Sequence, residues 1–144
     1  MKPKEFISAL DSRAIETAIQ QAERRTSGEI RVIVSKQMVD DPVATARSEF
    51  ARQGMTKTRR RNAVLFFIAP ASQGFAIIGD EGVHAKCGDA FWTDVAAVMQ
   101  KNFRDGQHTA ALLEGIARCG ELLATHFPPE AGDVNELPDQ VIEH

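Results

Sequence analysis

Nothing in this sequence is apolar for long enough to cross a bilayer. Its longest uncharged apolar run, Ala63 to Ala71, is less than half of the ~20 residues a spanning helix needs. The opening Met1 to Phe6 is charged and leads into no signal-peptide core. Direct membrane insertion is therefore not expected, and a cytoplasmic location is. Cysteine is scarce: Cys87 and Cys119 stand alone, without Cys-x-x-Cys spacing. They cannot build a disulfide framework and read as buried thiols in a reducing compartment. The common catalytic patterns are missing too. There is no Gly-x-x-x-x-Gly-Lys-Ser/Thr loop, no Gly-x-Gly-x-x-Gly, no His-Glu-x-x-His and no Gly-x-Ser-x-Gly. A cysteine phosphatase loop would place arginine six residues after its nucleophile, where this chain has Thr93 and Thr125. His84, His108, His126 and His144 show no metal-pair spacing, and His126 reads as structural.

What is present is an ordinary globular composition. With 144 residues, 43% hydrophobic and 26% charged, the chain can bury one good core and is not a disordered polymer. One domain over residues 1–128 is expected, followed by a Pro- and acid-rich tail, 129–144, read as flexible. Charge is lopsided. Residues 1–61 hold thirteen Lys or Arg against eight acids, and residues 62–144 hold four against twelve. The basic run Lys57, Arg59, Arg60 and Arg61 has no aromatic residues between its charges for base stacking, and the chain is acidic overall. It reads as a solvated loop making ion pairs, and no nucleic-acid partner is expected.

Periodicity alternates between helix and strand. Leu10, Ala14, Ile15, Ala18, Ile19 and Ala22 form one stripe of a helix over about 10–25, capped at Asp11 or Ser12 and stopped at Gly28. The β-branched run from Glu29 to Ser35 predicts a strand. Asp41-Pro42 opens a second helix, which Gly54 ends. Ala63 to Ala69 is apolar on both alternating faces, as in a strand covered on both sides. Phe75 to Ile78 is a further strand, and the short Pro70–Gly74 connection makes the two antiparallel. The helix between the first two strands predicts that they are parallel. Two helices follow. The first carries the stripe Phe91, Trp92, Val95, Val98, Met99 and Phe103, with Asp89 as its cap. The second runs from about His108 to His126, where Gly115 and Gly120 imply close packing against a neighbour.

The most chemically suggestive segment is the turn Gly79-Asp80-Glu81-Gly82 and the stretch that follows it. Asp80, Glu81, His84 and Asp89 fall within ten residues, beyond a strand end and ahead of a helix, where α/β folds often place ligands. Clustered carboxylates beside glycines suit hard cations such as Ca²⁺ or Mg²⁺, although the spacing is not that of an EF-hand. A solvated turn with a helix cap accounts for the same residues. The candidate metal ligands are Asp80, Glu81 and Asp89, with Asp94 and Glu29 as further members; no organic cofactor is expected.

The order Arg25-Thr26-Ser27-Gly28-Glu29-Ile30-Arg31-Val32, then Arg61 to Leu65, then Phe75 to Val83, Phe91-Trp92, Gly106 and Ala111 to Ile116 resembles the TPM domain family over about residues 5–127. The resemblance implies a three-layer α/β/α sandwich with a small mixed central sheet. It also implies a divalent-cation pocket, Ca²⁺ or Mg²⁺, among loops at one end of the sheet, and an acid phosphatase activity attributed to a plant member. The chain looks like a short, free-standing bacterial branch. It has Gly79-Asp80-Glu81-Gly82 where longer relatives carry a Gly-x-Gly-x-Glu type of turn. Three readings follow: a cation-binding accessory module with a protein partner, a metal-assisted phosphatase using Arg59 or Arg61, and a metal-independent interaction module.

Overall fold

The computed structural model describes residues 2–130 and 141–143. Strands β1 (Glu29–Val34), β2 (Ala63–Ala69), β3 (Gly74–Gly79) and β4 (Ile142–Glu143) form one sheet in the order β3-β2-β1-β4. β1 runs parallel to β2, with Glu29 opposite Ala63 and Val34 opposite Ile68. β2 and β3 are antiparallel, Val64 facing Gly79 and Ala69 facing Gly74. Both expected pairings are therefore present.

The double apolar pattern of β2 has its cause in two cores, one on each face. Ile30, Val32, Val34, Val64, Phe66 and Ile68 point to one layer. It is formed by α1 (Pro3–Ala9), α2 (Ser12–Glu23), α4 (Glu81–Arg104) and α5 (His108–His126). Ile33, Ala63, Leu65 and Phe67 point the other way, onto Ala46 and Phe50 of α3 (Pro42–Arg52) and onto Met55. The fold is the three-layer α/β/α sandwich, with four α-helices on one face and one on the other among the described residues.

Several local expectations hold. Asp11 caps α2 by accepting from Ala14 N, and Asp41 caps α3 by accepting from Ala44 N. α5 spans His108–His126, and its glycines are contact points. A Cβ at Gly115 would lie 2.7 Å from Met99 Sδ, and one at Gly120 3.0 Å from Ala22 Cβ.

Three features lie outside the sequence reading. The helix expected over 10–25 is present as α2, but another precedes it: Pro3 starts a seven-residue α1 that buries only Phe6, and Leu10 caps it. A helix that short with one buried side chain leaves too little periodicity to read. The helix expected to follow Asp89 is there, but a helical segment from Glu81, with Asp80 as its cap, precedes it within α4. The two meet at a kink at Gly88, where φ is 71° and the backbone leaves the helical conformation. Gly82 and Gly88 lower helix propensity over this first segment, which hid it. The third concerns the tail: the flexibility expected of it falls mainly on 131–140, outside the described residues, whereas Ile142 and Glu143 pair with Ile33 and Val34 of β1.

Candidate functional site

β3 runs against β1 and β2, and that reverses the geometry assumed for the acidic turn. Its carboxyl end, Gly79, lies beside the amino ends of the parallel strands: Asp80 N donates to Ala63 O at 2.9 Å, and Glu29 is opposite Ala63. The turn therefore occupies the end of the sheet opposite the carboxyl ends of β1 and β2.

Arg61, just ahead of β2, is held in a left-handed backbone conformation, φ 53°. Its guanidinium closes on Asp80 in a fork, Nε to Oδ2 at 2.6 Å and Nη2 to Oδ1 at 2.8 Å. Nη1 reaches Glu81 Oε1 at 3.2 Å. Asp80 Oδ1 also accepts from Glu81 N at 2.9 Å, so the buried carboxylate caps the helix and binds the arginine at once. Hydrogen bonding to Asp80 raises the Arg61 pKa above its ordinary value, the attraction of Asp80 and Glu81 outlasting some desolvation. Gly82 makes this approach possible. Its amide donates to Arg61 O, and a Cβ there would lie 2.4 Å from Arg60 O and 2.6 Å from Arg61 O.

The other sequence candidates do not join this group. Asp89 is almost fully exposed, with His84 Nε2 3.5 Å away, and Asp94 is exposed further along α4. Glu29 is buried at the start of β1, where its charge acts on Arg31, also buried. Burial lowers the Arg31 pKa and Glu29 raises it. Among the described residues no group of three or more His, Cys, Asp or Glu is arranged to hold a metal ion. Asp80, Glu81, Asp89, Asp94 and Glu29 thus do not form one preassembled ligand set. The helix that starts at Glu81 carries Asp89 and Asp94 away from the turn, and the strand buries Glu29. The remaining donors at the turn are all oxygens, which fits a hard cation, but the guanidinium of Arg61 already holds that position.

The neighbouring arginines of the basic run make ion pairs, as expected: Arg60 with Glu130 at 2.7 Å and Arg59 with the same carboxylate at 3.9 Å. Cys87 and Cys119 are both free thiols; Cys119 is buried as expected, whereas Cys87 is only partly buried, and desolvation raises the pKa of each. No described helix is long and apolar enough to cross a membrane.

Sequence reasoning missed a cleft at the other end of β2. It measures about 470 Å³ and is walled by Phe6 of α1, Phe75 of β3, Phe103 and Arg104 of α4, and His108 of α5. Four of these come from separate elements, so no linear spacing announces them.

The fold and these two ends define an α/β/α domain with a charged latch at one sheet end and an aromatic cleft at the other. The chain belongs to the TPM domain family, whose model matches residues 1–122. It is similar to the BA42 protein of the psychrophilic bacterium Bizionia argentinensis, known from an NMR structure. The two are 34% identical, with a TM-score of 0.84 and 92% of each chain covered. The N-terminal domain of a P. gingivalis protein shares the fold at 18% identity and a TM-score of 0.68, over 85% of this chain and 83% of that one. Among curated proteins none matches the chain.

Proposed function

We propose that this TPM domain is a non-catalytic accessory module that takes a divalent cation, Ca²⁺ or Mg²⁺, at Asp80 and Glu81 in exchange for Arg61. The observation that carries the reading is that these two carboxylates already share one cation, the Arg61 guanidinium. Arg61 acts as a built-in competitor. A divalent ion gains Asp80 only when the side chain of Arg61, partly exposed at 38%, swings away. Glu81, 72% exposed, offers the first contact, and the carbonyls of residues 60 and 61 add oxygens of the kind Ca²⁺ accepts. Exchange of this sort is weak in the resting protein and moves the loop before β2, which is how a cation could signal to a protein partner. Two free thiols suit a reducing cytoplasm. The metal-assisted phosphatase reading gains little, since Arg61 is held by Asp80 and Glu81 and Arg59 faces Glu130, so neither is set aside for a phosphate ester.

The test is a residue-by-residue NMR titration of the wild type and Arg61→Gln with CaCl₂ and MgCl₂. The wild type should show millimolar shifts confined to residues 60–62 and 79–84, and Arg61→Gln should bind at least tenfold tighter. Absence of localised shifts in both proteins rejects the cation reading.

A further inference from the structure

The aromatic cleft carries a second, independent inference. β2 has seven residues, and at ~3.3 Å per residue it separates the cleft from the Arg61–Asp80 latch by roughly 20 Å. The cleft adjoins the carboxyl end of β2, through Ile68 and Pro70, on the side of an α/β sheet where ligands usually bind. Its volume falls in the range of small-molecule pockets, which run ~300–1,000 Å³.

Its walls have two chemistries. Phe75 and Phe103 meet at 5.2 Å between ring centroids, Phe6 and His108 at 4.9 Å, and Phe103 and His108 at 5.9 Å. Phe75 and Phe103 are only partly buried, so apolar ring surface remains for a flat guest. The other wall is electropositive. Arg104, exposed at the end of α4, makes no ion pair among the described residues. α5 begins at His108 with Gln107 as its cap residue and no side chain closing the first turn. Its free amides and dipole favour an anion there. His108 Nδ1 is buried and has no hydrogen-bond partner among the described residues, a state that costs stability until something pairs with it. Gln73, which also borders the cleft, is one of two non-glycine residues with positive φ among the described residues, at 51°; the other is Arg61.

We propose that this cleft binds a small planar aromatic carboxylate, its ring among Phe6, Phe75 and Phe103 and its carboxylate on Arg104 and the amino end of α5. The planar fork of arginine matches a carboxylate with two parallel hydrogen bonds. The aromatic body accounts for the three phenylalanines and the carboxylate for the uncompensated positive potential; a neutral guest would leave the second unused.

The experiment uses the full chain and two isosteric probes, 2-naphthoate and 2-naphthalenemethanol, followed by NMR. 2-Naphthoate should give saturable shifts at Phe6, Phe75, Phe103 and His108, and should bind at least tenfold tighter than the alcohol. Arg104→Gln should weaken 2-naphthoate at least fivefold, towards the affinity of the alcohol, and leave the alcohol unchanged. Arg104 is exposed, so this substitution should keep the fold, and the wild-type probe pair decides the matter even if it does not. No saturable shift in the cleft up to millimolar probe, equal affinity for the two probes, or shifts centred on residues 79–84 would each overturn the proposal.

Discussion

Arg61 Nε and Asp80 Oδ2 lie 2.6 Å apart across nineteen residues of chain, and the same carboxylate caps α4. One buried side chain thus ties the loop before β2 to the first turn of the longest helix. Asp80→Ala removes both links. Loss of the cap alone costs about 1 kcal/mol, and the freed guanidinium loosens the loop as well. The urea midpoint should fall, with amide exchange accelerated at 60–62 and 81–84 more than elsewhere. Asp80→Asn keeps an acceptor for Glu81 N and should lie between the two. Equal loss in both variants would mean that the cap contributes nothing.

Gly82 is the position where the latch depends on the absence of a side chain. Arg60 O and Arg61 O would sit 2.4 and 2.6 Å from an added Cβ, and both are backbone atoms that cannot turn aside. Gly82→Ala gains helix propensity of about 1 kcal/mol but must push α4 off the loop, an overpacking cost of about 1–3 kcal/mol. A net loss of stability is expected, with the Arg61–Asp80 bonds broken. Increased stability on thermal melting would show that the helix start moves freely.

Most of the sandwich was legible because its signals are local. Asp41-Pro42 is a cap followed by a proline, Ala63–Ala69 is apolar on both faces, and Pro70–Gly74 is too short for anything but a hairpin turn. The acidic turn was legible as chemistry but not as geometry. Asp80 could be seen as an acid, whereas its bond to Arg61 depends on β3 running against β2 and on Gly82 admitting the carbonyls of 60 and 61. The cleft was illegible for a related reason. Phe6, Phe75, Phe103 and His108 are spread over about a hundred residues and meet only when α1, β3, α4 and α5 close around one corner. Phe75 and Phe103 read as parts of an apolar strand and of a helix stripe, and nothing in the sequence joined Phe6 or His108 to them.

His108 gives the molecule an acid-side sensitivity. Burial holds its pKa below the ordinary 6.5, so above that pH the ring is neutral both folded and unfolded. As pH falls through 6.5 the unfolded chain takes up the proton first, and stability is lost until the lower folded pKa is passed. His108→Gln removes this contribution. Its urea midpoint should decline less steeply than that of the wild type between pH 6.5 and 5, with the two parallel above pH 7. Parallel curves throughout would show that the ring is solvated.

Trp92 packs against Gly79, and the indole offers a direct optical report on the end of β3. A Cβ at residue 79 would come within 2.3 Å of Cζ2 and 2.6 Å of Cη2, so Gly79→Ala must displace the ring. Displacement breaks the bond from Trp92 Nε1 to His84 Nδ1, now 3.1 Å, and exposes more of the indole. The expected result is a red-shifted emission maximum and a loss of about 1–3 kcal/mol, the usual cost of overpacking. Gly106→Ala is the control. Its φ of 75° strains any side chain, but nothing lies within 4 Å of the added atom. That substitution should cost about 1 kcal/mol of backbone strain and leave Trp92 emission where it was. If both variants shift the emission equally, the tryptophan is reporting general loosening, and its contact with Gly79 does not hold the ring in place.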